Sequence, residues 1–359
     1  MMRIYVDHTH LGRRVTGLER ITQELFSAEA LAPLPIQPLT AHGAAQMLMM
    51  QSIGLPLCLL RARGAVLLCP GFPPSPLLWP LRARVLPYIH DVFLLSRRAN
   101  LNLRAKLYMA EPFRLAVRSY PHFLANSEDT RRKLAPLCRA DASITLYRPQ
   151  VRNVFALDAG VRDARPDAAP FRLVALGTVE PRKNFVAAAE IVGALRANGV
   201  DARLDVVGRR GWGDDWQALS RLPHVTLHGY QPEARVRALL NAADAFICTS
   251  REEGLGLPLL EAQFGGLPII APDQAIFREV LDRSGLFADP AQPAAAAATI
   301  AGALNRPGWR AAHRHGAERN LGRWNALAAA DREAVIALIR ELARDPARLN
   351  LDARRRQAA

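Results

Sequence analysis

Two glutamates, Glu253 and Glu261, stand eight positions apart in the stretch 249–273, which reads TSREEGLGLPLLEAQFGGLPIIAPD. An apolar run at 245–248 leads into this stretch and another at 268–271 leads out, so it reads as strand, loop, helix, strand. Gly254 and Gly256 suit a tight loop backbone, and Pro258 falls where a first helical turn tolerates a missing N–H. A helix starting near Leu257 would turn unpaired N–H groups and the positive end of its dipole toward the loop, a seat for a phosphate. Glu253 precedes that seat. Glu261, in the first turns beyond it, could accept hydrogen bonds from a diol such as a ribose. Solvated loop and helix acids would show the same spacing, and spacing by itself does not choose between the two.

A second cluster, Gly177-Thr-Val-Glu-Pro-Arg-Lys-Asn184, follows an apolar run at 171–176 and precedes a helix expected over 185–198. Only three of the 47 basic residues are lysines, Lys106, Lys133 and Lys183, so Lys183 beside Arg182 stands out in an arginine-rich chain. A compact ammonium suits a phosphate oxygen in a tight space, and a guanidinium adds a two-pronged fork. A solvated helix start is the plainer alternative. His90-Asp91 closes an expected strand over 85–89, and ligands bind at the carboxyl ends of strands in doubly wound sheets. A lone histidine there is more often structural.

The segment Glu253-Gly-Leu-Gly-Leu-Pro-Leu-Leu-Glu261-Ala, with Gly266-Leu-Pro-Ile-Ile-Ala after it, closely resembles the paired-glutamate signature of the family-four retaining glycosyltransferases. The resemblance implies that Glu253 lies beside a donor sugar and Glu261 holds the nucleotide ribose. Gly254, Leu255, Gly256 and Leu257 would then line the nucleotide-sugar site through their backbone. Phe is usual in the family where this chain has Leu255, a change of size beside the sugar pocket that bears on donor preference. The 177–184 cluster resembles the family's basic phosphate-binding motif, which assigns Arg182 and Lys183 to the donor diphosphate; some members carry an arginine at the place of Thr178. The same resemblance puts His90 near the donor sugar, makes Tyr230 a stacking or wall residue near the base, and matches Thr16-Gly17-Leu-Glu-Arg20 to a glycine-bearing first loop. Arg13, Arg14 and Arg20 could equally be solvated residues at a helix start.

Other elements must position these groups. Strands are expected at 3–7, 65–69, 123–125, 204–207 and 225–227, and helices at 18–26, from 126 through 133, at 232–242, 291–303 and 326–343. The stretch 100–120 interleaves basic and apolar side chains as an amphipathic helix bent at Pro112, able to cover a sheet or to touch an anionic bilayer. Glycines at 208–213 are spaced unlike a dinucleotide fingerprint. Residues 156–170 lose apolar period and read as a linker. Three regions follow: an acceptor-side domain over 1–160, a nucleotide-sugar domain over 170–325, and a terminal helix and tail over 326–359 that could pack back on the first domain. The expected fold is α/β, two Rossmann-like doubly wound domains facing across a cleft, the GT-B architecture.

Half of the 359 residues are hydrophobic, enough for two cores. The net charge of +14 divides as +10 over residues 1–150 and +4 over the rest. A basic field steers phosphates, anionic headgroups or nucleic acid, and no zinc-finger, helix-turn-helix or RNP pattern supports the last. Cys58, Cys69, Cys138 and Cys248 lack metal-ligand spacing and read as reduced thiols of a cytoplasmic protein. The first residues turn polar too soon for a signal peptide, and five prolines interrupt the uncharged stretch 64–81, so any membrane contact is expected to be peripheral, on the inner face.

The resemblance implies retaining transfer of a hexose to a glycan or lipid-linked acceptor in surface polysaccharide assembly, mannose from GDP-mannose first, because the 177–184 cluster with Gly208-Arg-Arg-Gly-Trp212 resembles mannosyl-transferring members, and a UDP-hexose second. No cofactor beyond the nucleotide sugar is expected. The chain has no Asp-x-Asp, so Arg182, Lys183 and the helix end would neutralise the diphosphate without a metal. A nucleotide-sugar epimerase of the same fold and a non-catalytic scaffold subunit are the alternatives.

Overall fold

The computed structural model describes residues 3–12, 17–96, 103, 106–162 and 170–345. The chain divides into two compact units, one of residues 1–149 with 327–359 and one of residues 150–326. Each is built on a six-stranded parallel sheet.

The first sheet contains β1 (Ile4–Asp7), β2 (Ile36–Leu39), β3 (Val66–Cys69), β4 (Val85–Ile89), β5 (His122–Ala125) and β6 (Ser143–Leu146), in the order β2-β1-β3-β4-β5-β6. Its four inner strands are buried along their whole length, the pattern of a parallel sheet covered on both faces. The edges β2 and β6 are only half-buried, and Pro38 is tolerated in β2 because an edge strand need not donate on both sides. The second sheet contains β7 (Phe171–Leu176), β8 (Ala202–Val207), β9 (Val225–Gly229), β10 (Ala245–Ile247), β11 (Ile269–Ala271) and β12 (Gly285–Phe287), in the order β12-β11-β10-β7-β8-β9. Two apolar clusters form its core, one holding Phe246, Leu260 and Trp324, the other Leu173, Ile191 and Leu204.

In each sheet the strand order reverses once. The chain runs from β7 outward through β8 and β9, then returns to place β10 on the other side of β7. In the first sheet the reversal lies between β1 and β3. Two loops part company above such a point and leave a crevice at the carboxyl ends of the strands.

Several elements depart from the sequence reading. The first unit ends at Pro149, ahead of the linker expected at 156–170, because Val151 and Leu157 are buried in the core of the second unit. The terminal helix spans Trp309–Arg344 and starts well before 326. Its Leu321 and Trp324 pack in the second unit, whereas Asp331 belongs to the first and holds Arg148 at 2.8 Å. Pro112 does not bend one helix: it occupies the first turn of the helix Glu111–Ser119, and a π-helical turn at Lys106–Ala110 precedes it. A helical stretch over Gly43–Arg61 was not anticipated at all.

Candidate active site

The crevice of the second sheet is framed by the loop after β7 and the loop after β10. The first begins at Gly177, whose neighbour across the sheet is Gly208: a Cβ on Gly208 would stand 1.8 Å from the Gly177 carbonyl oxygen. Backbone contact of this kind admits only glycine, and it fixes where the loop turns. The Lys183 N–H donates to the Glu180 carbonyl at 2.9 Å, and Asn184, in the left-handed region at φ 55°, starts the helix Phe185–Ala197. The second loop is tied to the first. Thr249 donates its hydroxyl to the Asn184 carbonyl at 2.8 Å, and the Arg251 N–H donates to the Arg182 carbonyl at 2.9 Å.

These ties bring Lys183 and Glu253 together although they lie 70 residues apart. Lys183 Nζ donates to Glu253 Oε1 at 2.5 Å, the Ser250 hydroxyl donates to the same oxygen at 2.7 Å, and Arg182 Nη1 reaches Glu253 Oε2 at 3.5 Å. Arg182 also donates to Glu180 Oε1 at 2.8 Å and to the Glu252 carbonyl at 3.1 Å. Burial pushes the Glu253 carboxyl up, and the adjacent Lys183 ammonium, with Arg182 and Ser250, more than reverses this and holds it below the usual carboxylate range. Glu253 is therefore a fixed anion, able to accept hydrogen bonds and unsuited to donating a proton. Two cations and two carboxylates share one partly buried spot, where Coulomb interactions are stronger than in water.

Beyond Glu253 the chain enters the helix Leu257–Gln263 through Gly256, at φ 81°. Pro258 sits in its first turn as the sequence suggests. The Leu255 side chain is buried in the core, so only its backbone can face a ligand; Leu257 is partly buried against the same cluster. Glu261 lies on the helix's buried side and is 2% exposed.

The second unit is similar in sequence to known proteins. Residues 170–306 match the family described as Glycosyl transferases group 1. The matched residues lie wholly within the second unit. Among curated proteins, the O-antigen chain mannosyltransferase B of Escherichia coli is 35% identical over 144 residues, covering 38% of this chain and 37% of that protein. The chain thus aligns with little more than a third of that relative. Among solved structures, sucrose-phosphate synthase from Thermosynechococcus elongatus superposes with a TM-score of 0.70 at 16% identity, over 95% of this chain and 99% of the other. WaaG, a glycosyltransferase involved in lipopolysaccharide biosynthesis, gives 0.62 at 14% identity over 94% and 99%. The fold is GT-B.

Elsewhere in the second unit, Tyr230 follows β9, is 68% exposed, and has the Arg209 guanidinium 4.5 Å from its ring centroid. The sequence reading gave Arg209 no role of its own beyond its place in Gly208-Arg-Arg-Gly-Trp212. Glu180 and Ser250 were also missed, since their partners lie in another loop or across a turn and no periodicity marks them.

The remaining predicted residues lie in the first unit. His90 follows β4, its Nε2–H donates to the Pro70 carbonyl at 2.7 Å, and its ring meets Tyr88 edge-on at 4.7 Å. Burial lowers its pKa to about 4, partly offset by the Pro70 carbonyl, so it is neutral at pH 7 with Nδ1 as an acceptor. Gly17 opens the helix Gly17–Leu25 and faces open space; Arg13, Arg14 and Thr16 lie outside the described residues. The strand reversal between β1 and β3 gathers polar residues that the sequence did not flag. Asp7 accepts from the Thr9 hydroxyl at 2.6 Å, Gln51 donates to Thr9 at 2.8 Å, and the His10 ring lies where a Cβ on Gly71 would stand, 2.4 Å away.

Proposed function

We propose that this chain transfers a hexose with retained configuration from a nucleoside diphosphate sugar to a glycan or lipid-linked acceptor in surface polysaccharide assembly. The observation that carries the reading is the Lys183–Glu253 contact, flanked by Arg182, at the strand reversal of the second sheet, within the residues that match the group 1 glycosyltransferases. Lys183 and Arg182 hold the donor diphosphate, Glu253 accepts hydrogen bonds from the sugar hydroxyls, and Glu261 takes the ribose diol. Gly254, Gly256 and the backbone of Leu255 and Leu257 line the donor, and Tyr230 borders the base.

In the reaction the bond from sugar C1 to the β-phosphate oxygen breaks and a bond from C1 to the acceptor oxygen forms on the same face. The acceptor's proton passes to an oxygen of the departing diphosphate. Negative charge grows on that leaving group, and preorganised cations stabilise it more in the transition state than in the ground state. Glu253, ion-paired on both oxygens, is a poor covalent nucleophile.

Mannose from GDP-mannose is the first choice of donor, supported by the Escherichia coli relative. A thermal-shift screen of nucleoside diphosphates and their sugars tests the reading, because a ligand of the native state raises the apparent melting temperature. GDP and GDP-mannose are expected to give the largest shifts. A shift with sugar interconversion and no transfer would support an epimerase, and no shift with any nucleotide would remove the reading.

A further inference from the structure

The helical stretch Gly43–Arg61 has two apolar faces. Met47, Leu55 and Leu59 are buried, and the last two pack into the core of the first unit. Met49, Ile53, Leu57 and Leu60, at intervals of four, four and three residues, share the opposite face and are 57%, 50%, 41% and 61% exposed. A soluble protein's surface helix would carry charges there; this one carries none before Arg61. The apolar surface continues onto the neighbouring segment Pro76–Arg84. Ser75 donates to the Ser52 carbonyl at 3.0 Å and Arg84 to the Ala62 carbonyl at 2.9 Å, which lays that segment alongside the helix with Leu77 and Trp79 exposed. Scattered exposed leucines are ordinary, but a contiguous group of this size marks an interaction surface.

We propose that this face docks in the plane of an anionic lipid bilayer, with its apolar side chains at the boundary between headgroups and acyl chains. Charge selects the occupant. Residues 30–90 contain four arginines, Arg61, Arg63, Arg82 and Arg84, and no aspartate or glutamate. Arg61 and Arg63 are exposed at the end of the helix, and the Arg82 guanidinium stacks 4.6 Å from the Trp79 ring, so cations and an amphipathic aromatic rim the apolar patch. A second copy of the chain would set arginine rim against arginine rim in a two-fold pairing, which like charge disfavours. The stretch has the length and hydropathy to cross a membrane, yet its other face belongs to the protein core, so it lies on the bilayer and does not span it. The stretch 106–119 adjoins this surface, since the Tyr108 hydroxyl donates to Gln51 within the helical stretch, and the inference stands whether or not the chain transfers sugar.

The test is co-sedimentation of the full chain with vesicles of equal parts phosphatidylglycerol and phosphatidylcholine, against vesicles of phosphatidylcholine only. The parent is expected to pellet with the first and much less with the second. Leu57→Glu with Leu60→Glu should lower partitioning at least about tenfold, and Met49→Gln with Ile53→Gln should lower it without adding charge, since each side chain withdraws apolar area from the bilayer. These side chains are exposed, so the variants should keep the parent's melting temperature and its nucleotide-induced shift. A parent that stays in the supernatant, or variants that pellet like the parent, would overturn the proposal. So would a lipid-free dimer that the same substitutions convert to monomer, which would give the face to a second copy.

Discussion

Lys183 is a lysine for a steric reason as well as an electrostatic one. Its Cε passes 3.3 Å from where a Cβ on Gly177 would stand, so the loop leaves room for a slim stem ending in a point charge. Lys183→Ala is expected to lower turnover roughly a hundred-fold to a thousand-fold, the usual loss when one preorganised stabilising contact is removed, about 2.7 to 4 kcal/mol. Lys183→Arg keeps the charge but needs more space, and should fall between the alanine variant and the parent. Steady-state rates at saturating donor decide this. Parent-like turnover in Lys183→Ala would hand the diphosphate to Arg182. Glu261 makes a separate claim: Glu261→Ala should weaken nucleoside diphosphate binding ten-fold to a hundred-fold, about 1.5 to 3 kcal/mol, in calorimetry on a folded variant. Unchanged affinity would remove Glu261 from the site and leave it a buried acid of the helix Leu257–Gln263.

At the scale of elements, the loops after β7 and β10 hold the site only if the backbones at Gly177 and Gly208 can touch. Gly208→Ala puts a methyl group inside the Gly177 carbonyl, so the variant should lose more than about 2 kcal/mol of stability or fail to bind nucleotide, checked by thermal unfolding and calorimetry. Much of this architecture was legible in the sequence. The buried strands β3, β4, β7 and β10 stand out as short apolar runs, and Ser127 caps its helix as its side chain predicts, accepting from the Thr130 N–H. The half-buried edges were not: β2 contains a proline and β6 a serine and a threonine, so neither has an apolar run. The stretch Gly43–Arg61 escaped notice because it is apolar on both faces and no charge or side-chain cap marks its start. In the site, motif resemblance brought out Arg182, Lys183 and Glu253, but their mutual contact depends on the strand reversal, and strand order is not written in local periodicity.

For the whole molecule, two histidines, His122 buried and His90 half-buried, make the first unit sensitive to acid. Burial lowers His90 and His122 from 6.5 to about 4, with the Arg139 charge adding to the effect at His122. Between those values the unfolded chain binds protons that the folded one refuses, so stability is greatest above pH 6.5 and falls as pH drops toward 4, by up to about 3 kcal/mol for each histidine. Urea unfolding across that range, with His122→Asn as a control, should show the slope; a flat profile would mean the histidines are not held neutral. The chain lacks an Asp-x-Asp, and Lys183 and Arg182 bring to the donor diphosphate the positive charge that a metal would otherwise supply, so transfer is expected to survive excess EDTA. Loss of turnover that magnesium or manganese restores would show that a metal shares the diphosphate. The most direct measurement is calorimetric titration of GDP-mannose into the parent and into Lys183→Ala, both in EDTA. Saturable binding to the parent, weakened at least about tenfold in the variant, is the predicted result. Equal binding by the two proteins, or none by the parent to any nucleoside diphosphate sugar, would contradict the assignment of the Lys183–Glu253 site to the donor.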